Sequence, residues 1–319
     1  MTDFRWQSRK GESTMKAIRV NEWGKTVLED LPQPTPGNDE VLVRIHAASI
    51  NPFDTAVLAG YMSSMVTLPI TLGTDFSGEV VAVGADIKHV KPGDAVYGLV
   101  PGHSGTFAEY TIAKANEVTY KPKSLDYVNA AALPLPSMAA WQSLFDIAQL
   151  RSGECVLIHG VAGNVGSLAL QFAKSTGAYV YGTDIPEKAE FAQSLGVDRF
   201  IDTKEERFED IVKDVDIVLD YVGGEYLQRS YSVLKPGGRY VTALLMGTPQ
   251  EEAQRLGILS FGLWSQPKTE HLEKVAELFD AGKLKVAVNR TFPLDEVVAA
   301  MDFRMKTTTP GKIVLTIQQ

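Results

Sequence analysis

The stretch ECVLIHGVAGNVGSLALQFAKSTGAYVYGTD, Glu154 to Asp184, decides the fold. Cys155 to His159 is a short apolar run with β-branched members, bounded by glycine, and reads as a strand. Gly160, Gly163 and Gly166 follow at a G-x-x-G-x-x-G spacing, one residue longer than the commonest G-x-G-x-x-G. Leu168, Leu170, Phe172 and Ala173 then supply the apolar positions of an amphipathic helix, and AYVYGT reads as a second strand. Strand, glycine turn, helix and strand together form the unit that seats a dinucleotide. The first glycine turns the chain off the strand, the second lets backbone N–H groups approach a pyrophosphate, and the third lets the helix pack closely on the sheet. A plain structural βαβ unit competes with this reading, because glycine fills 27 of 319 positions and turns use it freely. The order of elements around the triplet favours the dinucleotide. The candidate cofactor-binding residues are therefore Gly160, Ala162, Gly163, Asn164, Val165 and Gly166, with Asp184 about 18 residues further on, where an acidic group meets the adenosine ribose.

Outward from this core, the bulk properties are those of a globular chain long enough for two domains: 319 residues, 45% hydrophobic and 22% charged. A net charge of −8 repels phosphate backbones, so nucleic acid is not an expected partner. The one cysteine, Cys155, has no intrachain partner and lies in the expected first strand of the nucleotide fold, where it packs as a small hydrophobe. The longest apolar stretch, Val128 to Phe145, is interrupted by Pro134 and Pro136, and the N-terminus lacks the apolar core of a signal peptide, so neither membrane association nor export is expected. The expectation is a cytoplasmic protein.

Residues 1–14 carry no periodicity and form a tail before the strand MKAIRV, which Met15 opens. From 15 to 125 the chain shows short strands, at Val41 to His46, Gly78 to Val83, Ala95 to Leu99 and Phe107 to Ile112, separated by Pro-Gly and Gly-Asp turns. That pattern implies a mostly antiparallel, barrel-like β domain. From 126 to 284 helices and strands alternate: a helix near Ser137 to Ala148, strands Val156 to His159, Tyr179 to Thr183, Ile217 to Tyr221 and Arg239 to Leu245, and a sixth, Ile258 to Leu263, at the sheet edge. The alternation implies an α/β fold with a doubly wound parallel sheet. A helix Glu270 to Asp280 follows. Residues 285–319, with helix Leu294 to Met305 and strand Lys312 to Ile317, form a last segment that could rejoin the first domain, as the resemblance described next implies.

Several separate motifs now point one way: ASINPFDT (48–55), LGTDFSGEVVAVG (72–84), VKPGDAVYG (90–98), GTFAEY (105–110), AAALPLPSMAAWQSL (130–144), HGVAGNVG (159–166), DYVGG (220–224), LKPGGRYV (234–241) and PGKIVL (310–315). In their order they resemble the medium-chain dehydrogenase/reductases, and within them the zinc-independent quinone oxidoreductase branch that includes zeta-crystallin. The resemblance spans nearly everything after Met15. It implies a GroES-like β domain, a Rossmann domain and an active-site cleft between them. Zinc-bearing relatives place a cysteine in the region of Asn51 and a Gly-His-Glu at Gly73-Thr74-Asp75, and carry a second zinc lobe of four cysteines; with one cysteine here, no zinc is expected. His46, His89, His103, His159 and His271 show no ligand spacing and read as structural or solvated.

Without a metal to favour an alkoxide, the substrate has to be electrophilic already. Hydride from a nicotinamide then adds to a quinone or an α,β-unsaturated carbonyl, and the protein's tasks are positioning, desolvation and a hydrogen bond to the oxygen. Asn51 offers an amide donor for that oxygen or for the nicotinamide ribose, or is a turn residue before Pro52. Tyr61 lies in the loop that resembles the substrate-lining loop and offers a hydroxyl. It stands one residue before the position, Met62, where some members carry a tyrosine, with another such position at Ala56, so a wall or surface role competes and water is an alternative proton source. In PLPSMAAW, which resembles the helix start facing the nicotinamide, Ala139 replaces a hydroxyl residue, leaving Ser137 or backbone N–H groups.

The resemblance puts backbone contacts to the nicotinamide ribose at Val222 and Gly223, and Leu244 and Leu245 beside the ring. For the coenzyme, Asp184 accepts ribose hydroxyls and repels a 2′-phosphate, which favours NADH, or else Asp184 to Glu187 is a capping box. Lys188 is close enough to meet a phosphate, and the resemblance favours NADPH, so the expectation stays NADPH or NADH, with a lean to NADPH. A 2-enoyl thioester reductase is the alternative enzyme, and a nucleotide-binding non-enzyme, crystallin-like or RNA-binding, the alternative of another class. The exposed sixth strand implies a homodimer joined edge to edge.

Overall fold

The computed structural model describes residues 13–102, 104–243 and 250–317. Leu244, Leu245 and His103 lie outside the described residues, as does most of the N-terminal tail.

One sheet has six parallel strands in the order Arg199–Asp202, Tyr179–Asp184, Cys155–His159, Val215–Asp220, Leu234–Thr242, Leu259–Gly262. Every residue of Val215–Asp220 is buried, as a strand covered on both faces by helices requires. Cys155–His159 pairs with Tyr179–Asp184 on one side (Val156 opposite Val180) and with Val215–Asp220 on the other (Val156 opposite Ile217). The chain order reverses direction at this strand, which opens a crevice at its C-terminal end.

The other sheet runs Val288–Pro293, Lys312–Thr316, Glu40–Ser49, Asp75–Val83, Ala95–Leu99, Val118–Tyr120, with Tyr110–Lys114 also paired to Glu40–Ser49. Lys312–Thr316 returns antiparallel to Glu40–Ser49, so the last segment rejoins the first sheet as its sequence implies. A three-stranded sheet, Lys25–Pro32, Thr14–Glu22, Ile70–Thr71, completes the β region.

Some boundaries differ from the sequence expectation. Phe107 does not open a strand: its N–H and that of Thr106 go to the Leu72 carbonyl (2.8 and 2.9 Å), and its own carbonyl accepts from Ile18 (2.8 Å), so the paired strand starts at Tyr110. The helix expected from Ser137 begins at Pro134, where a missing N–H costs nothing, and turns into a π-helix over Gln142–Ile147. The strand expected at 239–245 starts earlier and ends at Thr242.

Two side chains tie the α/β part to its neighbours. The Tyr97 hydroxyl donates to the Leu272 carbonyl (2.6 Å). Gln171 clamps Lys285, accepting its N–H (2.7 Å) and donating to its carbonyl (3.0 Å), where the chain starts back to the first sheet.

Candidate active site

The glycine loop is built at the crevice. Gly160 takes φ +72°, a left-handed value that favours glycine, and its N–H and that of Val161 bond the Thr183 carbonyl (2.9 and 3.1 Å). Gly163 caps helix Asn164–Ser175, whose first turn leaves N–H groups without intrahelical partners. Gly166 lies against the loop so closely that a Cβ there would sit 2.1 Å from the Gly160 carbonyl oxygen. The cradle suits an anionic pyrophosphate at a helix N-terminus. Gly182, which the sequence reading passed over, belongs to the same construction: a Cβ on it would meet the Val161 side chain at 2.7 Å.

Asp184 is buried and engaged. Its Oδ2 accepts from the Ala162 N–H (3.0 Å), its Oδ1 from the Ile185 N–H (2.9 Å), and Lys188 Nζ lies 3.2 Å away. The capping-box alternative is corrected: helix residues Pro186–Lys188 receive no side-chain cap, because the Asp184 carboxylate turns back to the glycine loop and to its own neighbour, while Glu187 pairs with Lys204. Val222 sits beside Gly160, half exposed. The N–H groups of Val222 and Gly223 are both taken by Asp220 Oδ1 (2.9 and 2.8 Å), and the Gly223 carbonyl accepts from the Tyr226 N–H (3.4 Å). Asp220, also unread in the sequence, is held in turn by the Tyr240 hydroxyl on Oδ2 (2.6 Å).

His159 is structural, as its lack of ligand spacing implies. Its two ring nitrogens bond Thr183 Oγ1 and Ser230 Oγ, each at 2.9 Å. Burial lowers its pKa to about 4, with Asp220 opposing. An unfolded histidine takes up its proton near pH 6.5. The neutral native form therefore adds stability that is whole above that pH and is lost as pH falls toward about 4. The melting temperature is expected to fall more steeply between pH 6.5 and 4 in the wild type than in His159→Gln. Equal slopes would remove His159 from the acid response.

Across the crevice, Asn51 caps helix Pro52–Leu58. Its side chain is buried and largely committed: Oδ1 accepts from Lys312 Nζ, and Nδ2 donates to Asp75 Oδ2 (2.9 Å), leaving one amide hydrogen. Asp75 collects further donors, the Ser49 hydroxyl on Oδ2 (2.9 Å) and the Leu135 N–H on Oδ1 (2.8 Å), and lies 3.5 Å from Lys312. Asp54 accepts from the Asn51 N–H (2.7 Å), half of a capping box, and from the Thr74 hydroxyl (2.9 Å). Burial pushes its carboxyl up to about 6 against those two donors. Burial lowers Lys312, with Asp75 and then Asp54 opposing. Lys312 was missed in the sequence; PGKIVL was quoted only as a motif.

Zinc does not fit here. Asn51, Thr74 and Asp75 are already bound to one another's neighbours, and the cation among them is an ammonium, which repels a second cation. Among the described residues no three histidine, cysteine or acidic side chains gather as a metal group. Tyr61 is 83% exposed, in the turn beyond Pro52–Leu58, and is not drawn into the Asn51 cluster. Ser137 is buried and donates to the Pro134 carbonyl (3.1 Å). Among the described residues no helix is long and apolar enough to cross a membrane.

Comparison with known proteins agrees with this geometry. Residues 37–123 match the alcohol dehydrogenase GroES-like domain and residues 195–315 the zinc-binding dehydrogenase domain. A mitochondrial NAD(P)H oxidoreductase of Mus musculus is 32% identical, over 88% of this chain and 82% of its own. The 2-methylene-furan-3-one reductase of Solanum lycopersicum is 35% identical, over 95% and 79%. The solved quinone oxidoreductase of Coxiella burnetii superposes with a TM-score of 0.89 at 33% identity, covering 96% of this chain and all of that one.

Proposed function

We propose, from the premise that this chain belongs to the quinone oxidoreductase branch of the medium-chain dehydrogenase/reductases, that it reduces quinones and activated α,β-unsaturated carbonyls with NAD(P)H and without a metal. The observation that carries the reading is the cradle at the sheet's switch point, where Gly166 lets the helix N-terminus close on Gly160. A reduced nicotinamide, once bound, supplies the hydride. Asn164 to Gly166 would hold the pyrophosphate, and Val222 and Gly223 would lie beside the nicotinamide ribose. Asn51 is held in one orientation by Lys312 and Asp75, so its remaining amide hydrogen is aimed before substrate arrives. The acids of the Asn51 cluster, Lys312 and Asp54, are buried and already bonded to Asn51, Asp75 and Thr74, so water is the proposed proton source.

NADPH is the proposed coenzyme. The Asp184 charge is already satisfied by two backbone N–H groups and Lys188, so it offers less repulsion to a 2′-phosphate than an open carboxylate would. Lys188→Ala is expected to raise KM for NADPH about tenfold or more and leave NADH nearly unchanged, the scale of one charge-assisted hydrogen bond. Equal effects on both coenzymes would detach Lys188 from the choice.

The deciding experiment follows 340 nm absorbance with NADPH and NADH against a 1,4-quinone, an enal, an enoyl thioester and a simple aldehyde, with and without a chelator. Chelator-insensitive oxidation by the quinone or enal is expected. Reaction with the aldehyde alone, or loss on chelation, overturns the reading. The edge strand Leu259–Gly262, paired on one side only among the described residues and bearing half-exposed Leu259 and Phe261, supports a homodimer, which light scattering would refute by finding a monomer. The cytosol is the proposed compartment, and subcellular fractionation that finds the chain in mitochondria would correct it.

A further inference from the structure

Phe53 and Trp264 meet across the crevice. Phe53 stands two residues after Asn51, and Trp264 two residues past the end of the sixth parallel strand. Their ring centroids are 6.0 Å apart and their planes 83° from parallel. The segment carrying Trp264 is pinned on both sides. Leu263 N–H bonds the Thr242 carbonyl (2.7 Å), Gln266 exchanges two bonds with the Gln142 side chain (2.6 and 3.1 Å), and Lys268 pairs with Asp146 (2.7 Å). Trp264, between these anchors, is nevertheless 42% exposed. A fixed backbone holding out a large apolar ring, with a second ring set square to it from helix Pro52–Leu58, makes a corner of two aromatic surfaces. A flat ligand lies on one face while its edge meets the other. The corner lies past the C-terminal ends of the strands, where doubly wound folds take ligands, and on the Asn51 side of them.

We propose that Phe53 and Trp264 are specificity-determining residues that select flat, fused-ring or aryl-substituted acceptors over short aliphatic ones. Electron-poor quinone rings stack on the electron-rich indole face, and a short enal leaves most of both faces wet. This inference rests on the hydride-transfer reading above and names the substrate class of that same site.

The test compares kcat/KM for 1,4-naphthoquinone and for crotonaldehyde in the wild type, Phe53→Leu, Trp264→Leu, Trp264→Phe and the Phe53→Leu/Trp264→Leu double variant. Each leucine variant is expected to lower the naphthoquinone-to-crotonaldehyde ratio about fivefold to tenfold, mainly through KM for naphthoquinone, as the loss of one aromatic contact implies. Trp264→Phe should keep most of the ratio, and the double variant should lose less than the product of the two singles. Coenzyme affinity and melting temperature should hold. A second readout needs no turnover: naphthoquinone quenches tryptophan fluorescence of the coenzyme complex, and Trp264→Leu should remove the saturable part. Unchanged ratios, or equal losses on both substrates, overturn the corner. A change of oligomeric state in Trp264→Leu with the ratio intact does the same. Saturable, Trp264-dependent quenching without any turnover would support the corner while sinking the hydride-transfer reading.

Discussion

Gly166→Ala is expected to weaken NADPH binding by at least about 100-fold, roughly 2.7 kcal/mol or more. The added Cβ would sit 2.1 Å from the Gly160 carbonyl oxygen and 2.9 Å from both Gly160 C and Val161 Cα. All three atoms are backbone, so no rotamer change relieves the clash. Helix Asn164–Ser175 has to withdraw from the loop. Its N–H groups then leave the pyrophosphate, and the Ala162 to Asp184 bond that sets the loop's outer side is stretched as well. Calorimetric titration of NADPH measures the loss, and a melting curve registers the overpacking as a lower Tm. Wild-type affinity in this variant would show that the loop does not seat the coenzyme.

Lys312→Met is expected to destabilise the chain by about 3–5 kcal/mol, the scale for removing one member of a buried ion pair. Lys312 is 1% exposed. Its loss leaves the Asp75 carboxylate without a cation, the Asn51 Oδ1 without a donor, and Asp54 further from charge balance. Adding Asp75→Asn removes the stranded charge, so the double variant should lose less stability than the sum of the two single losses. Urea unfolding at pH 7 supplies the four free energies. Simple additivity, or a loss below about 1 kcal/mol, would mean that the ammonium is not what holds the cluster.

The glycine loop was legible because its demands are local. A turn off a strand, a close approach and a helix packed on a sheet each call for glycine at a position that neighbouring residues define. Five of the six parallel strands were legible for the same reason, through short apolar runs between turn residues, whereas Arg199–Asp202, four residues at the sheet edge, was not read, and the return of Lys312–Thr316 came from the family resemblance. What sequence left open depends on distant partners. Asn51 and Lys312 are 261 residues apart, and nothing in ASINPFDT reveals that its amide will be taken by a lysine near the other terminus. Asp184 had the right spacing for a ribose, yet its partner is the N–H of Ala162, placed there by the pairing of two parallel strands. Asp220 looked like the end of a strand and proves to hold Val222 and Gly223. The π-helical turn at Gln142–Ile147 has no composition signal, though it carries the glutamine that anchors the Trp264 segment.

The bond from Asp75 Oδ1 to the Leu135 N–H joins the β sheet to the first turn of the helix that leads into the nucleotide sheet. Parting the two halves there would leave the buried Asp75 Oδ1 and the Leu135 N–H without each other, a cost that holds them together at this point. If they move relative to one another, the axis of rotation has to pass close to Asp75. Such a fulcrum sets the amplitude of breathing by distance: spacings near it, those of the Asn51 cluster included, stay constant, and only parts of the crevice far from Asp75 can widen.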